Sequence, residues 1–306
     1  MSKSVVVLLS TYNGEKYIRE QLDSLFIQEG VDLQICVRDD GSTDGTVQIL
    51  QEYEKAGKIH LQLGKNLGFA LSFRELVASA PHCDYYAFCD QDDVWLPRKL
   101  INAVEAMEKE DSSIPLMYYT SLTVVNEKLE QIVKSSCGYI DENDPNVFQN
   151  AVLCTGANGC TEVFNNAARE AFLRVPANCM ICHDYSVNTI ASGLGKVIFS
   201  RDSQILYRQH GNNAFGYLRG NIRILIRSLK SFFRHEMRRL RFREALTFKY
   251  IFYAELSPDK QEFIDLLTNY KNAKKFKKPL RKYIKKNISN KTSRKYSLLL
   301  LRLGGL

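Results

Sequence analysis

Tyr85-Tyr86-Ala87-Phe88-Cys89-Asp90-Gln91-Asp92-Asp93 is the stretch on which the fold reading turns. Its apolar run predicts a buried strand, and that strand delivers three carboxylates to its C-terminal tip. Like charges gathered at one tip call for a cation. Hard divalent ions such as Mg2+ or Mn2+ take carboxylate oxygen and complete their shells with substrate phosphate, so the tip suggests a metal–diphosphate site. The alternative is a solvated acidic loop ahead of a helix, with Pro97 near that helix's start.

Outward from this stretch, strand-like and helix-like patterns alternate. Val5–Leu9 reads as a buried strand, and Glu15–Gln28 follows with Tyr17, Ile18, Leu22, Leu25 and Phe26 at helical spacing. Leu33–Arg38 (strand), Thr46–Lys55 (helix), Ile59–Leu63 (strand), Ala70–Ser79 (helix) and Pro97–Lys109 (helix) continue the series. Such alternation predicts an α/β fold with a parallel sheet covered on both faces, whose ligands bind beyond the carboxyl ends of the strands. Polar clusters stand at those ends: Ser10–Glu15, Asp39–Gly45 and Asp90–Asp93. They are expected to converge. Further on, Leu116–Val125 looks like a strand, Asn165–Leu173 and Asp184–Ser192 like helices, and Lys196–Phe199 and Ser203–Tyr207 like short strands.

The chain has 306 residues, 45% hydrophobic and 25% charged, which excludes a disordered chain. Its first apolar run is too short for a signal-peptide core, and no run reaches the ~20 apolar residues needed to span a bilayer. Eight scattered cysteines favour buried thiols over disulfides. Cys179-Met180-Ile181-Cys182 before His183 lacks the second pair a zinc ribbon needs. A cytoplasmic protein is expected. Residues 217–306 hold 24 Lys+Arg against 6 Asp+Glu, leaving 18 basic and 28 acidic residues in 1–216. This asymmetry predicts a catalytic domain over 1–216 and a basic, mainly helical region over 217–306.

Tyr12 at a strand tip offers a face for stacking on a base. Asp39 or Asp40 suits an imide N–H or a ribose hydroxyl, although Asp, Ser, Thr and Gly there also make a turn. Neither G-x-x-x-x-G-K-[ST] nor a strand–turn–helix G-x-G-x-x-G occurs, which weakens ATPase and dehydrogenase readings. Asp184 is suited to general base or to helix N-cap. After the last strand, Arg208 suits a phosphate and His210 a metal.

In order, Ser10-Thr11-Tyr12-Asn13-Gly14-Glu15, Asp39-Asp40-Gly41-Ser42-Thr43-Asp44-Gly45, Lys65-Asn66-Leu67-Gly68 and Asp90-Gln91-Asp92-Asp93 resemble the family 2 glycosyltransferases of the GT-A fold. The resemblance covers roughly residues 4–215 and implies an inverting, metal-dependent enzyme with a nucleotide-sugar donor. Cys182-His183-Asp184 and Tyr207-Arg208-Gln209-His210-Gly211-Asn212-Asn213 further resemble the rhamnosyltransferase branch, which uses dTDP-rhamnose to build cell-wall, capsule or O-antigen polysaccharide. By that resemblance Thr11, Tyr12 and Asp40 hold the base, with Asp39 and Asp90 near base and ribose. Asp92 binds Mg2+ or Mn2+ with help from His210, Asp184 is the base, and Arg208 assists the diphosphate. Thr155, Gly156, Trp95 and His183 lie near sugar or acceptor. In much of that branch an aromatic pair follows His-Asp; here Tyr185 is followed by Ser186.

The expected partners are a dTDP- or UDP-sugar donor, a lipid-linked saccharide acceptor and an anionic membrane surface, with homo-oligomerisation open. Arg interleaved with Phe, Leu and Ile after residue 217 suits interfacial attachment at the inner face of the cell membrane; a solvated basic bundle is the alternative. Rival readings are a UDP-hexose-dependent transferase of the same fold, a nucleotidyltransferase, and nucleic-acid binding through Phe232, Phe233, Phe242 and Phe248 with their basic neighbours. Nucleic acid is not expected, since no recognisable motif for it accompanies the charge.

Overall fold

The computed structural model describes residues 2–135, 144–153, 157–211, 235–269 and 276–288, with positions 294, 295, 297, 298 and 301. Its centre is a seven-stranded sheet in the order β10-β6-β9-β4-β1-β2-β3. These strands are β1 Lys3–Thr11, β2 Val31–Asp39, β3 His60–Leu63, β4 Tyr85–Cys89, β6 Leu116–Thr120, β9 Val163–Asn165 and β10 Lys196–Ser200. Only β9 runs antiparallel, between β4 and β6. Val5–Leu9 is fully buried, as a strand covered on both faces must be. Each such side chain contributes about 1.5–3 kcal/mol relative to exposure. Because β1 lies between β2 and β4, with Thr11 opposite Asp39 and Leu9 opposite Cys89, three polar tips meet at one edge.

Helices α1 Ile18–Phe26, α2 Thr46–Lys55, α3 Phe69–Ser79, α4 Lys99–Met107, α5 Val147–Leu153, α6 Asn166–Leu173 and α7 His183–Leu194 cover the sheet. Helix α1 begins later than its spacing predicts, because the N–H groups of Tyr17 and Ile18 turn back onto the Gly14 carbonyl. A second sheet, β5-β11-β7-β8, holds β5 Val94–Trp95, β7 Leu122–Val125, β8 Gln131–Ser135 and β11 Ile205–Arg208.

The predicted strand Leu116–Val125 is in fact two. Ser121 N–H bonds to Ser200 O at 3.0 Å, and the chain leaves the large sheet for the small one. Both halves are largely buried, so the apolar run gives no sign of the break. The spacing also missed β5, β8, α5 and β9, short elements whose pairing is long-range.

Past residue 217 the described chain is helical: α8 His235–Thr247, a π-helical turn Phe248–Phe252, α9 Pro258–Asn269 and α10 Lys277–Asn287. The predicted boundary at 216/217 and the first part of the predicted helical region, 217–234, lie outside the described residues. These helices do not stand apart. Phe248 and Phe263 meet Phe148 of α5 edge-on at centroid distances of 4.9 and 6.2 Å. Lys260 Nζ donates to the carbonyls of Ser192 and Gly193, closing the C-terminal end of α7 at 3.2 and 2.8 Å. Phe252, Ile264, Leu267, Leu280 and Ile284 join the same hydrophobic core.

Candidate active site

Beyond the β1, β2 and β4 tips the loops are tied together by side chains. Gln91 forms an amide clamp on Tyr12: the Tyr12 N–H donates to Gln91 Oε1 at 2.8 Å, and Gln91 Nε2 donates to the Tyr12 carbonyl at 3.0 Å. The clamp leaves the Tyr12 ring 47% exposed, free to face a ligand. Gly14 is required beside it, since a Cβ there would stand 2.2 Å from Gln91 Oε1.

Thr11, Asp39 and Asp40 are buried under the tips. Asp39 accepts from the Thr11 hydroxyl (2.9 Å), the Gly41 and Ser42 N–H groups (3.1 and 2.8 Å) and the Ser42 hydroxyl (2.5 Å). That fills the ~four lone-pair positions of a carboxylate. Asp40 pairs with buried Arg38 and accepts the Leu67 and Gly68 N–H groups, each at 2.9 Å. Three bonds leave Oδ2 of Asp40 room for one more donor. Asp39 therefore shapes the loop, and Asp40 has the spare acceptor capacity a nucleobase N–H needs.

At the β4 tip, Asp92 and Asp184 both lie close enough to act on Asp90. Burial, the Asp92 charge and the Asp184 charge together push the Asp90 carboxyl up to about 7. His210 Nε2 lies 2.7 Å from Asp92 Oδ2, and its ring stacks on Tyr17 at 4.7 Å. Oxygen donors with one imidazole suit Mg2+ or Mn2+. Asp90, Asp93 and Cys160 also place possible ligand atoms within 4.8 Å of one another, as do Cys182, His183 and Asp184. Asp184 sits in the first turn of α7, but Cys182 holds the N-cap position. The carboxylate is half-buried and accepts the Tyr185 N–H at 2.7 Å.

Three of the expected site residues are buried in the protein. Arg208 does not reach toward a phosphate: it is 1% exposed, and its guanidinium is bound to protein. Nε donates to the Asp92 carbonyl (2.8 Å), one Nη to the Glu127 carbonyl (2.6 Å) and the other to Glu20, with Tyr17 beneath at 4.9 Å. It is a strut behind Asp92. Trp95 is 1% exposed, enclosed by the core with Lys99 Nζ 3.7 Å above its ring, so it faces no acceptor. His183 is 5% exposed, stacked on Phe73 at 3.9 Å and edge-on to Phe88 at 4.6 Å. Burial pulls its imidazole down to about 4, which keeps it neutral. His183 precedes Asp184 in the first turn of α7. Thr155 and Gly156 lie outside the described residues.

Sequence reasoning also passed over several residues that build this pocket. Arg38 was detectable as a lone charge in an apolar strand. Gln91 stood unremarked between aspartates. Glu162 is fully buried, with neither carboxylate oxygen hydrogen-bonded among the described residues, and burial with nearby Asp184 holds it protonated well above the usual range. Lys99, equally buried, is pulled down to about 8. No local pattern marks either one.

The model of the family described as Glycosyl transferase family 2 matches residues 6–172, more than half of the chain. The chain is 28% identical over 225 residues to the dTDP-rhamnosyl transferase RfbG of Shigella flexneri, covering 68% of this chain and 73% of that protein. It is 30% identical over 223 residues to an uncharacterized glycosyltransferase of Haemophilus influenzae, covering 68% and 66%. Among solved structures, S. aureus TarS 1-349 in complex with UDP-GlcNAc aligns with a TM-score of 0.60 at 14% identity, over 99% of this chain and 82% of that one. The mannosyltransferase PcManGT from Pyrobaculum calidifontis, in complex with GDP-Man and Mn2+, aligns at 0.51 and 18% identity, over 99% and 86%. At these identities the structural likeness speaks for the fold.

Proposed function

The chain belongs to the family 2 glycosyltransferases and carries their GT-A fold, and from that premise we propose that it transfers L-rhamnose from dTDP-rhamnose to a growing, lipid-linked cell-surface polysaccharide. The observation that supports the site assignment is the gathering of Asp90, Asp92, Asp184 and His210 beyond the strand tips that also carry Tyr12 and Asp40. The similarity to a dTDP-rhamnosyl transferase favours the donor.

In this reading Tyr12 stacks on the thymine and Asp40 accepts its imide N–H. Asp92 and His210 would hold a divalent cation, with Asp90 beside them; when bound, the cation offsets charge on the departing diphosphate. Asp184 takes the proton of the acceptor hydroxyl as its oxygen attacks the anomeric carbon. The new C–O bond forms on the face opposite the breaking bond to phosphate, so configuration inverts. His183, neutral and wedged between aromatic rings, fixes where Asp184 points. Residues 1–216 supply this chemistry.

Product analysis with dTDP-rhamnose, UDP-hexoses and a lipid-linked acceptor extract tests the proposal. Release of dTDP with a rhamnosylated acceptor supports it. Turnover of a UDP-hexose alone replaces the donor, and release of pyrophosphate replaces the reaction class with nucleotidyl transfer. Asp184→Asn is expected to bind donor normally and to lose transfer by about 10²–10⁴-fold. Full transfer by that variant removes the base assignment.

A further inference from the structure

Helix α10 reads Lys277-Lys278-Pro279-Leu280-Arg281-Lys282-Tyr283-Ile284-Lys285-Lys286-Asn287 and contains no acidic residue. Its inner face is occupied. Leu280 and Ile284, with Ile288 just beyond, are fully buried. Tyr283 stacks on Phe263 of α9 at 5.6 Å, and its hydroxyl accepts from Gln149 of α5 at 3.0 Å. At about 100° per residue, Lys278, Arg281, Lys282, Lys285 and Lys286 fall within an arc of about 140° on the opposite side. All five are exposed. The helix is thus a cationic array held in one orientation by a socket of the core.

We infer that α10 seats the protein on an anionic phospholipid surface through this basic face, by charge alone and without insertion. A helix that enters the interface needs its apolar side free to meet the acyl boundary. Here that side is committed to α5 and α9, and Phe248, Phe252 and Phe263 are buried as well. Helix α10 therefore has no apolar face free to enter the interface. What remains is attraction between clustered Lys/Arg and acidic headgroups, which fades within a Debye length.

A nucleic acid fits this face less well. The socket holds α10 flat against the molecule, so the helix cannot enter a groove, and its one aromatic side chain is turned inward, away from any base. A membrane is flat, and the array is flat. The inference concerns no residue of the transfer site and does not depend on the donor or acceptor reading.

The test is flotation of the full chain with phosphatidylcholine vesicles, with and without phosphatidylglycerol, at low and high salt. Binding is expected only with phosphatidylglycerol at low salt, with complete release at high salt. Each charge removed by Lys→Gln is expected to lower partitioning about fivefold. Lys278→Gln/Lys282→Gln/Lys285→Gln/Lys286→Gln should therefore fail to float, while its thermal melt and its release of nucleoside diphosphate stay as in the parent. Equal binding to neutral vesicles, retention at high salt, or wild-type flotation by the quadruple variant each overturns the inference. So does retention on duplex DNA without vesicle binding.

Discussion

Nε2 of His210, just past β11, lies 2.7 Å from Oδ2 of Asp92 at the β4 tip, across 118 residues of sequence. The ring is held from the other side by Tyr17, stacked at 4.7 Å. One donor atom from each of two loops, following strands of different sheets, thus arrives at a single point, where the two now bond to each other. His210→Ala is expected to weaken Mn2+ binding about 10–100-fold, measured by calorimetric titration. Asp92→Asn should abolish it. Unchanged Mn2+ affinity in both variants would place the ion elsewhere.

The Gln91 clamp on Tyr12 predicts a coupling. Gly14→Ala puts a methyl 2.2 Å from Gln91 Oε1, so the amide must swing away and the Tyr12 backbone loses both bonds. Donor KM should rise about tenfold with kcat little changed, a loss of about 1.4 kcal/mol in uniform binding. In a Gln91→Ala background the same substitution should cost far less, since the clamp is already gone. Strict additivity would mean that Gly14 acts by another route.

Arg208 distinguishes a strut from a phosphate ligand. Arg208→Met leaves the Asp92 and Glu127 carbonyls and the Glu20 carboxylate without their donor. Glu20 is half exposed to water, so its charge is partly screened and the loss comes mainly from the two carbonyl bonds. We expect about 3 kcal/mol of destabilisation in denaturant melts, with impaired Mn2+ binding following from the displaced β4 tip. A variant of native stability with only a raised donor KM would restore the phosphate role.

Glu244 gives a pH test remote from the site. It is 2% exposed on α8, accepts the Thr189 hydroxyl at 2.5 Å, and burial pushes its carboxyl from 4.5 up to about 7. The folded protein therefore holds this proton more tightly than the unfolded chain. The stabilisation is fully present below about pH 4.5 and is lost as pH rises through 7, by about 3 kcal/mol in all. Glu244→Gln keeps an acceptor for Thr189 but cannot ionise. Asp90 titrates in the same direction in both proteins, so the difference between their melts isolates Glu244. That difference should grow from pH 4.5 to 7 in favour of the glutamine variant; parallel curves would refute it.

The alternation of strands and helices was legible because each buried strand announces itself locally. Thr46–Lys55 and Tyr85–Cys89 agree with the structure residue for residue. The three tips were legible for the same reason, since parallel topology puts them at one edge. What the sequence hides is direction. Arg208 and Trp95 display charge and aromaticity, but nothing local tells whether the short strands β11 and β5 turn them toward the site or into the core. The strand β9 is only three residues long, and its place between β4 and β6 depends on partners many residues away. Glu162 beside it is invisible as a buried acid for the same reason.

The break at Ser121 has a consequence for exchanging parts between relatives. One uninterrupted piece of chain is the inner neighbour of the edge strand β10 up to Thr120 and lies inside the small sheet from Leu122. A chimera joined anywhere in that piece would give each layer half of a foreign seam. Transplants of the wall bearing His210 should therefore travel as a block from β5 through β11 and on to His210, and shorter grafts should yield protein that does not fold.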